Sequence, residues 1–287
     1  MAESRADFQE FLEQDLARIK GVYHPIKAPL IERVVMAKVN VNRLHPNPDD
    51  EFCIKEVGPS YRIIGEYEEK FRHHIKRRLD PFDGDPLIVE KIRPDGYMLL
   101  NGHHRWAAAR SVGFKRVPVK IVNLTHEDDV RNMLKASNAQ KRVTLDLDEV
   151  IFLTHLDMFE PEPGVMPKPF KERVRIGVPA LFHYLYTHGY DIWVFSSNYY
   201  SIDYIRRLFK RYGVHVDGIV TGTGKNKSKK NIDALLAEKY TETVNIDNES
   251  VVRIIRGSKD FDQFDIENQG KEWATDVRAI MEKIIDN

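Results

Sequence analysis

Apolar residues recur at helical spacing between Ala6 and Lys20, where Phe8, Phe11, Leu12, Leu16 and Ile19 share a face and predict an amphipathic helix laid against a body. A strand-like stretch over Val34–Val41 leads into the proline-rich turn Leu44–Glu51, and a polar-faced helix is expected over Ser60–Arg78. Leu87–Ile92 and Tyr97–Leu100 read as two strands joined through Arg93-Pro-Asp-Gly96, a hairpin turn. A helix of small residues follows from Asn101, a strand from Val117 to Val122, and a linking helix over His126–Asn138 with Val130, Met133 and Leu134 on one side.

From Val143 the pattern changes to regular alternation. Strands are expected up to Asp146 and over Tyr190–Phe195, Gly218–Thr221 and Val244–Ile246, separated by helices over Arg175–His188, Ile202–Tyr212 and Lys229–Lys239. Alternation of this kind predicts an α/β domain built on a doubly wound parallel sheet. We therefore expect two domains, an α+β domain at residues 1–139 and a doubly wound domain at residues 140–287.

Composition supports that division. The 287 residues, 42% of them hydrophobic, are enough for two cores. Lys and Arg total 44 and so do Asp and Glu, which argues against nucleic-acid binding through bulk charge. Cys53 stands alone, so neither an intramolecular disulfide nor a cysteine-based zinc site can form, and a reducing cytoplasm is the expected location. The polar N-terminus lacks the apolar core of a signal peptide, and no apolar run reaches membrane-spanning length.

Two stretches carry candidate chemistry. In Arg142–Phe152 an apolar strand runs into Asp146 and Asp148, and the carboxyl end of a parallel strand is where ligands bind in such sheets. Two carboxylates that close need a cation, and hard oxygen donors suit Mg2+; alone, the pair reads equally well as a strand cap. Ser196-Ser-Asn198 and Asp247-Asn-Glu249 end two further strands and converge on the same sheet edge if the strands are parallel. The second stretch is Asn101–Arg110, where Gly102 admits a backbone angle other residues resist and His103, His104 and Arg105 flank the amides of a helix start, a plausible anion cradle.

Both stretches resemble known families. Val41–Leu124 resembles the ParB and sulfiredoxin-like domain through Pro46-Asn-Pro48, the Pro86-Leu-Ile-Val89 strand, Gly102-His-His-Arg105 and the closing Val117–Val122 strand. The resemblance implies nucleotide phosphates, from ATP, ADP or another nucleotide, at Gly102, His103, His104 and Arg105. It also implies an acid near the proline-rich turn, at Glu51 or Asp50. There is no cysteine at the helix start, which sets aside sulfiredoxin chemistry, and no helix-turn-helix follows.

Lys141–Asn287 is similar to the haloacid dehalogenase (HAD) superfamily of phosphotransferases, through Asp146-Leu-Asp-Glu-Val150, Ser196, a lysine of the Lys229 helix and Ile246-Asp247 in that order. It implies Asp146 as the nucleophile that forms an aspartyl-phosphate and Asp148 as the proton shuttle. Mg2+ would be held by Asp146, Asp148 and Asp247, with Ser196, Asn198 and Lys229 facing the phosphoryl group. Lys225, Lys227 and Lys230 compete with Lys229 for its role, Asn248 departs from variants with two consecutive aspartates, and Glu249 is the alternative acid. Few residues lie between Val150 and Arg175, so the cap is minimal and the site is either open to a bulky substrate or covered by another domain.

The expectation is a Mg2+-dependent phosphohydrolase with an N-terminal nucleotide- or phosphate-binding domain, acting on a phosphorylated small molecule or nucleotide. The alternatives are a nucleotide-dependent kinase of the free-serine type fused to a phosphatase, and a nucleic-acid-binding end-processing protein.

Overall fold

The computed structural model describes residues 5–34, 37–152, 158–164, 172–222, 227–248, 250–256 and 260–286. The chain divides into two compact units, Met1–Asn123 and Leu124–Asn287.

The first unit comprises α1 (Arg5–Ile19), β1 (His24–Pro25), α2 (Leu30–Val34), β2 (Ala37–Asn40), β3 (Leu44–Pro46), α3 (Tyr61–Arg77), β4 (Leu87–Arg93), β5 (Tyr97–Asn101), α4 (His103–Val112) and β6 (Arg116–Val122). Its sheet runs β2-β6-β4-β5-β3, with β1 pairing at the end of β4. β4 lies parallel to β6 and antiparallel to β5, the expected hairpin, and β5 lies parallel to β3. Helix α1 contributes Phe8 and Leu12 to a core whose centre is Trp106, fully buried on α4 and donating Nε1 to the carbonyl of Val41 at 3.2 Å. That bond satisfies the indole's one polar group, which burial would otherwise penalise.

The second unit comprises α5 (Glu127–Ala136), β7 (Lys141–Asp146), α6 (Val178–Thr187), β8 (Tyr190–Ser196), α7 (Ile202–Arg211), β9 (Gly218–Thr221), α8 (Lys227–Lys239), β10 (Glu242–Asn248), β11 (Val251–Arg256), β12 (Asp260–Asp265) and α9 (Trp273–Ile285). The strand order is β12-β11-β10-β7-β8-β9. Strands β10, β7, β8 and β9 are mutually parallel, and every residue from Tyr190 to Val194 is buried, as expected of a central strand covered on both faces.

Two expectations are corrected here. The sheet is of mixed orientation, because β11 and β12 return as an antiparallel meander at one edge instead of continuing the parallel winding. The division between units also falls earlier than residue 139: the linking helix, α5, buries Val130 and Met133 in the core of the second unit and packs against α8.

Candidate functional site

β7 is central to its sheet, so its carboxyl end lies between the ends of β8 and β10. The register places Asp146 opposite Phe195 and Leu145 opposite Ile246, bringing Asp146, Ser196 and Asp247 to one level. Past Asp146 the chain enters a π-helical turn, Leu147–Ile151, closed by the Phe152 amide donating to the carbonyl of Leu147 at 2.6 Å. Leu147, Val150 and Ile151 are fully buried and anchor this turn, while Asp148 stays half-buried at the sheet edge. Single π-turns of this kind are frequent at functional sites.

The two carboxylates are joined by backbone. The Asp148 amide donates to Asp146 Oδ1 at 2.7 Å, so Asp148 is placed by a turn bond and not by strand alternation. Ser196, buried at the end of β8, donates Oγ to Asp148 Oδ2 at 2.6 Å and accepts the Asn198 amide at 2.9 Å. Ser196 thus touches the second carboxylate directly, while Asn198 is exposed beside it. The side chains of Lys227, Lys229 and Asp247, and all of Lys225 and Glu249, lie outside the described residues; Lys230 is exposed on α8. Among the described residues no group of three His, Cys, Asp or Glu side chains is arranged to hold a metal. The donors that are described, two adjacent carboxylates, are all oxygen and fit a hard cation such as Mg2+.

In the first unit, α4 starts at Gly102 with φ 95° and ψ 28°. A Cβ there would stand 2.6 Å from Leu87 Cδ2 and 3.1 Å from Arg105 Nη2, so glycine is required for space as well as for angle. His103 is buried; its Nε2 accepts the Asn47 amide at 3.2 Å, and its Nδ1 faces Asp50 Oδ2 at 3.5 Å. Burial holds this imidazole neutral with a pKa of about 4, against a weaker upward pull from Asp50, and His104 lowers it further. His104 Nε2 accepts the Ser60 amide at 3.2 Å, and the Phe52 ring contacts the His103 and His104 imidazoles at 5.5 and 5.0 Å between centroids.

Arg105 is also engaged. Its Nη1 pairs with Asp85 Oδ2 at 2.5 Å and donates to the Asp85 carbonyl at 2.8 Å, and its Nη2 donates to Asn101 Oδ1 at 3.2 Å. The structure therefore gathers Gly102, His103, His104 and Arg105 at one helix start, with the side chains of His103, His104 and Arg105 turned to protein partners. Glu51 is exposed, whereas Asp50 is the acid next to His103 and also caps the turn at Glu51–Cys53 by accepting the Phe52 amide at 3.0 Å.

A further cluster had only a faint signal in the sequence pattern. Asp15 of α1 and His45 of β3 are both buried and meet at 3.0 Å, with Arg18 at 2.7 Å from Asp15. Burial works to raise the Asp15 pKa, but His45 and Arg18 together outweigh it and hold the carboxyl below its ordinary value. The pair sits directly behind Pro46-Asn47, the turn that donates to His103. An aspartate amid the apolar positions of the α1 face was the one available hint.

Comparison with known proteins agrees with part of this picture. Residues 84–138, which include β4, β5, α4 and β6, match the family model of the ParB N-terminal domain. Over 44 residues the chain is 43% identical to an ATP-dependent L-serine kinase of Staphylothermus marinus and 36% identical to one of Desulfurococcus mucosus; each match spans 15% of this chain. The matched stretch is only 18% and 17% of the length of those relatives.

Among solved structures, the chain is similar to the C-terminally truncated chromosome-partitioning protein ParB of Caulobacter crescentus in two complexes. With CTP-gamma-S the identity is 18% over 37% of this chain and 56% of that one, at a TM-score of 0.25. With the centromeric parS site it is 21% over 35% and 49%, at a TM-score of 0.22. Among the described residues no helix is long and apolar enough to cross a membrane.

Proposed function

We propose that the protein joins two phosphoryl-transfer chemistries in one chain: a nucleotide-dependent kinase of small hydroxylated molecules in the first unit, and an aspartate-based phosphohydrolase of the HAD type in the second. The observation that carries the kinase reading is the meeting of Asp50 with His103 at the start of α4, in a chain with local similarity to ATP-dependent L-serine kinases. Backbone amides at a helix start and the positive end of its dipole suit nucleotide phosphates. A carboxylate beside them suits the removal of a hydroxyl proton from the acceptor. The neutral His103, accepting from Asn47, fixes the turn on which Asp50 stands.

The phosphohydrolase reading is supported by the contact of Asp146, Asp148 and Ser196 at the end of a central parallel strand. In this reading Asp146 attacks phosphorus and Asp148 exchanges a proton with the leaving oxygen and then with water. Mg2+ would be held by the Asp146 carboxylate, the Asp148 carbonyl and Asp247, and would supply charge screening between the nucleophile and the phosphoryl oxygens.

The two chemistries are separable by mutation in the full chain. Transfer from labelled ATP to L-serine and related alcohols is expected to survive Asp146→Asn and to fall at least about 100-fold in Asp50→Asn, the scale of a lost general base. Phosphate release from p-nitrophenyl phosphate should show the reverse pattern. Loss of both activities in a single variant, or transfer unaffected by Asp50→Asn, refutes the assignment.

A further inference from the structure

Resting on the kinase reading of the first unit, we infer that His103 is a positioning residue and not a phosphate ligand: through the Asn47 amide it sets the turn that carries Asp50, and so governs turnover without taking part in nucleotide binding. His103 stands on the first turn of α4 and is only 4% exposed. Its Nε2 accepts the Asn47 amide at 3.2 Å. A ring nitrogen that accepts cannot carry the hydrogen, so the neutral imidazole holds it on Nδ1, which faces Asp50 Oδ2 at 3.5 Å. Both ring nitrogens are therefore turned to the same segment of protein, and neither is left to donate to a phosphate oxygen.

Asn47 is the hub of that segment. Its carbonyl accepts the Asp50 amide at 3.0 Å and its Oδ1 accepts the Asp49 amide at 3.1 Å, while Pro48 restricts the backbone between them. Asp50 is held from the other direction as well: its Oδ1 accepts the Phe52 amide at 3.0 Å and its carbonyl accepts the Cys53 amide at 2.8 Å. The hydrogen bonds from Asn47 to His103 and from Asp50 to Asn47 thus fix the carboxylate relative to α4. His104 has a corresponding hold on another segment, accepting the Ser60 amide where α3 begins. The paired histidines each take a backbone amide.

The chemistry separates the two roles. In the transfer step the acceptor oxygen bonds to the γ-phosphorus of ATP, the bond from that phosphorus to the bridging oxygen breaks, and the hydroxyl proton moves to the Asp50 carboxylate. The products are ADP, a phosphate monoester and the Asp50 carboxyl, which returns its proton to water. Displacing the base costs rate and leaves affinity for the nucleotide alone, whereas losing a phosphate contact weakens ATP binding and raises KM.

The test compares the full-length protein with Asp50→Asn, His103→Gln and His103→Phe in transfer from ATP to L-serine, alongside hydrogen exchange of the Asn47 amide. Glutamine keeps an acceptor for that amide; phenylalanine fills the space and keeps none. His103→Phe is expected to lower kcat roughly 30-fold and to speed Asn47 exchange by a similar factor, with KM for ATP within about two-fold, the scale of a buried donor left unsatisfied. His103→Gln should recover kcat to within about 5-fold of wild type and restore the protection of the amide. In the wild type, NMR of the His103 ring nitrogens should show an unprotonated Nε2 both without nucleotide and with ADP, a readout that needs no variant to fold. A rise of about 10-fold or more in KM for ATP in both variants, an unchanged kcat in His103→Phe, equal kcat losses in the two, or a protonated Nε2 with ADP overturns the inference while leaving an Asp50-dependent kinase standing. A wild-type protein that transfers no phosphate from ATP to L-serine or a related alcohol overturns the kinase reading and the inference together.

Discussion

Acid should loosen the first unit through His103. Folded, this imidazole is buried with a pKa of about 4, set first by burial, opposed by Asp50 and assisted by His104, against an ordinary value of 6.5. Between those values the unfolded chain binds a proton that the folded chain excludes, so the stabilisation is complete above about pH 6.5 and is lost as the pH falls toward 4. A gap of about 2.5 pH units at ~1.36 kcal/mol each corresponds to about 3 kcal/mol. The geometry gives the same sign: a protonated Nε2 can no longer accept the Asn47 amide, 3.2 Å away.

Hydrogen exchange of α4 amides, corrected for intrinsic exchange, measures the opening free energy of this unit from pH 7 to pH 4. The comparison is with His103→Gln, whose amide oxygen can accept the same bond but does not titrate. Wild type should lose about 3 kcal/mol more than the variant across that range. Equal losses would refute the reasoning and move the acid sensitivity to other groups, such as Asp15.

Two further predictions concern packing and reactivity. A Cβ on Gly218 would stand 2.0 Å from Trp193, which is fully buried and donates to the Tyr240 hydroxyl at 2.8 Å, itself bonded to Asp191 at 2.6 Å. Gly218→Ala should therefore cost about 3 kcal/mol, a fall of roughly 6–12 °C in the melting temperature of the second unit, and a change under about 1 °C would show that the indole can move at no cost. Burial, with Asp50 and Asp15 adding to it, pushes the Cys53 thiol up to about 12. At pH 8 its thiolate fraction is on the order of one in ten thousand, so iodoacetamide should label it only upon unfolding, as read by mass spectrometry.

The positions of most elements were legible because their periodicities were strong. The run from Val143 to Asp146 is central and fully apolar on its inward positions, and α7 carries a clear 3.6-residue stripe in Ile202, Ile205, Leu208 and Phe209. What was not legible depended on tertiary context. The apolar face of α5 is visible in the sequence, but nothing local says which core it meets, so the boundary was placed beyond the helix and not before it. β11 and β12 carry charged side chains along an edge, among them Arg253, Arg256 and Asp262, and such strands lack the continuous apolar run that marks buried parallel ones. The pairing of Asp146 with Asp148 was visible as spacing. The amide bond that creates it belongs to a local turn, whereas the hold of Ser196 on Asp148 arises only when β7 and β8, distant in the chain, are brought together.

The N-terminal helix bears on how the protein is cut for study. The ParB N-terminal domain match begins at residue 84 and ends at 138, just past α5. A fragment trimmed to those limits would take β4, β5, α4 and β6 without the layers that cover them, and would carry a helix belonging to the other core. Phe8 and Phe11 of α1 stand 5.9 and 6.2 Å from the Trp106 ring, and Arg110 lies 3.7 Å over Phe11. Removing α1 would leave the indole with Phe52 but without Phe8 and Phe11, and would deprive His45 of Asp15. Ligand screens on the first unit should therefore use a fragment that keeps Arg5 and stops near Asn123, since shorter pieces would report on exposed core and not on a binding site.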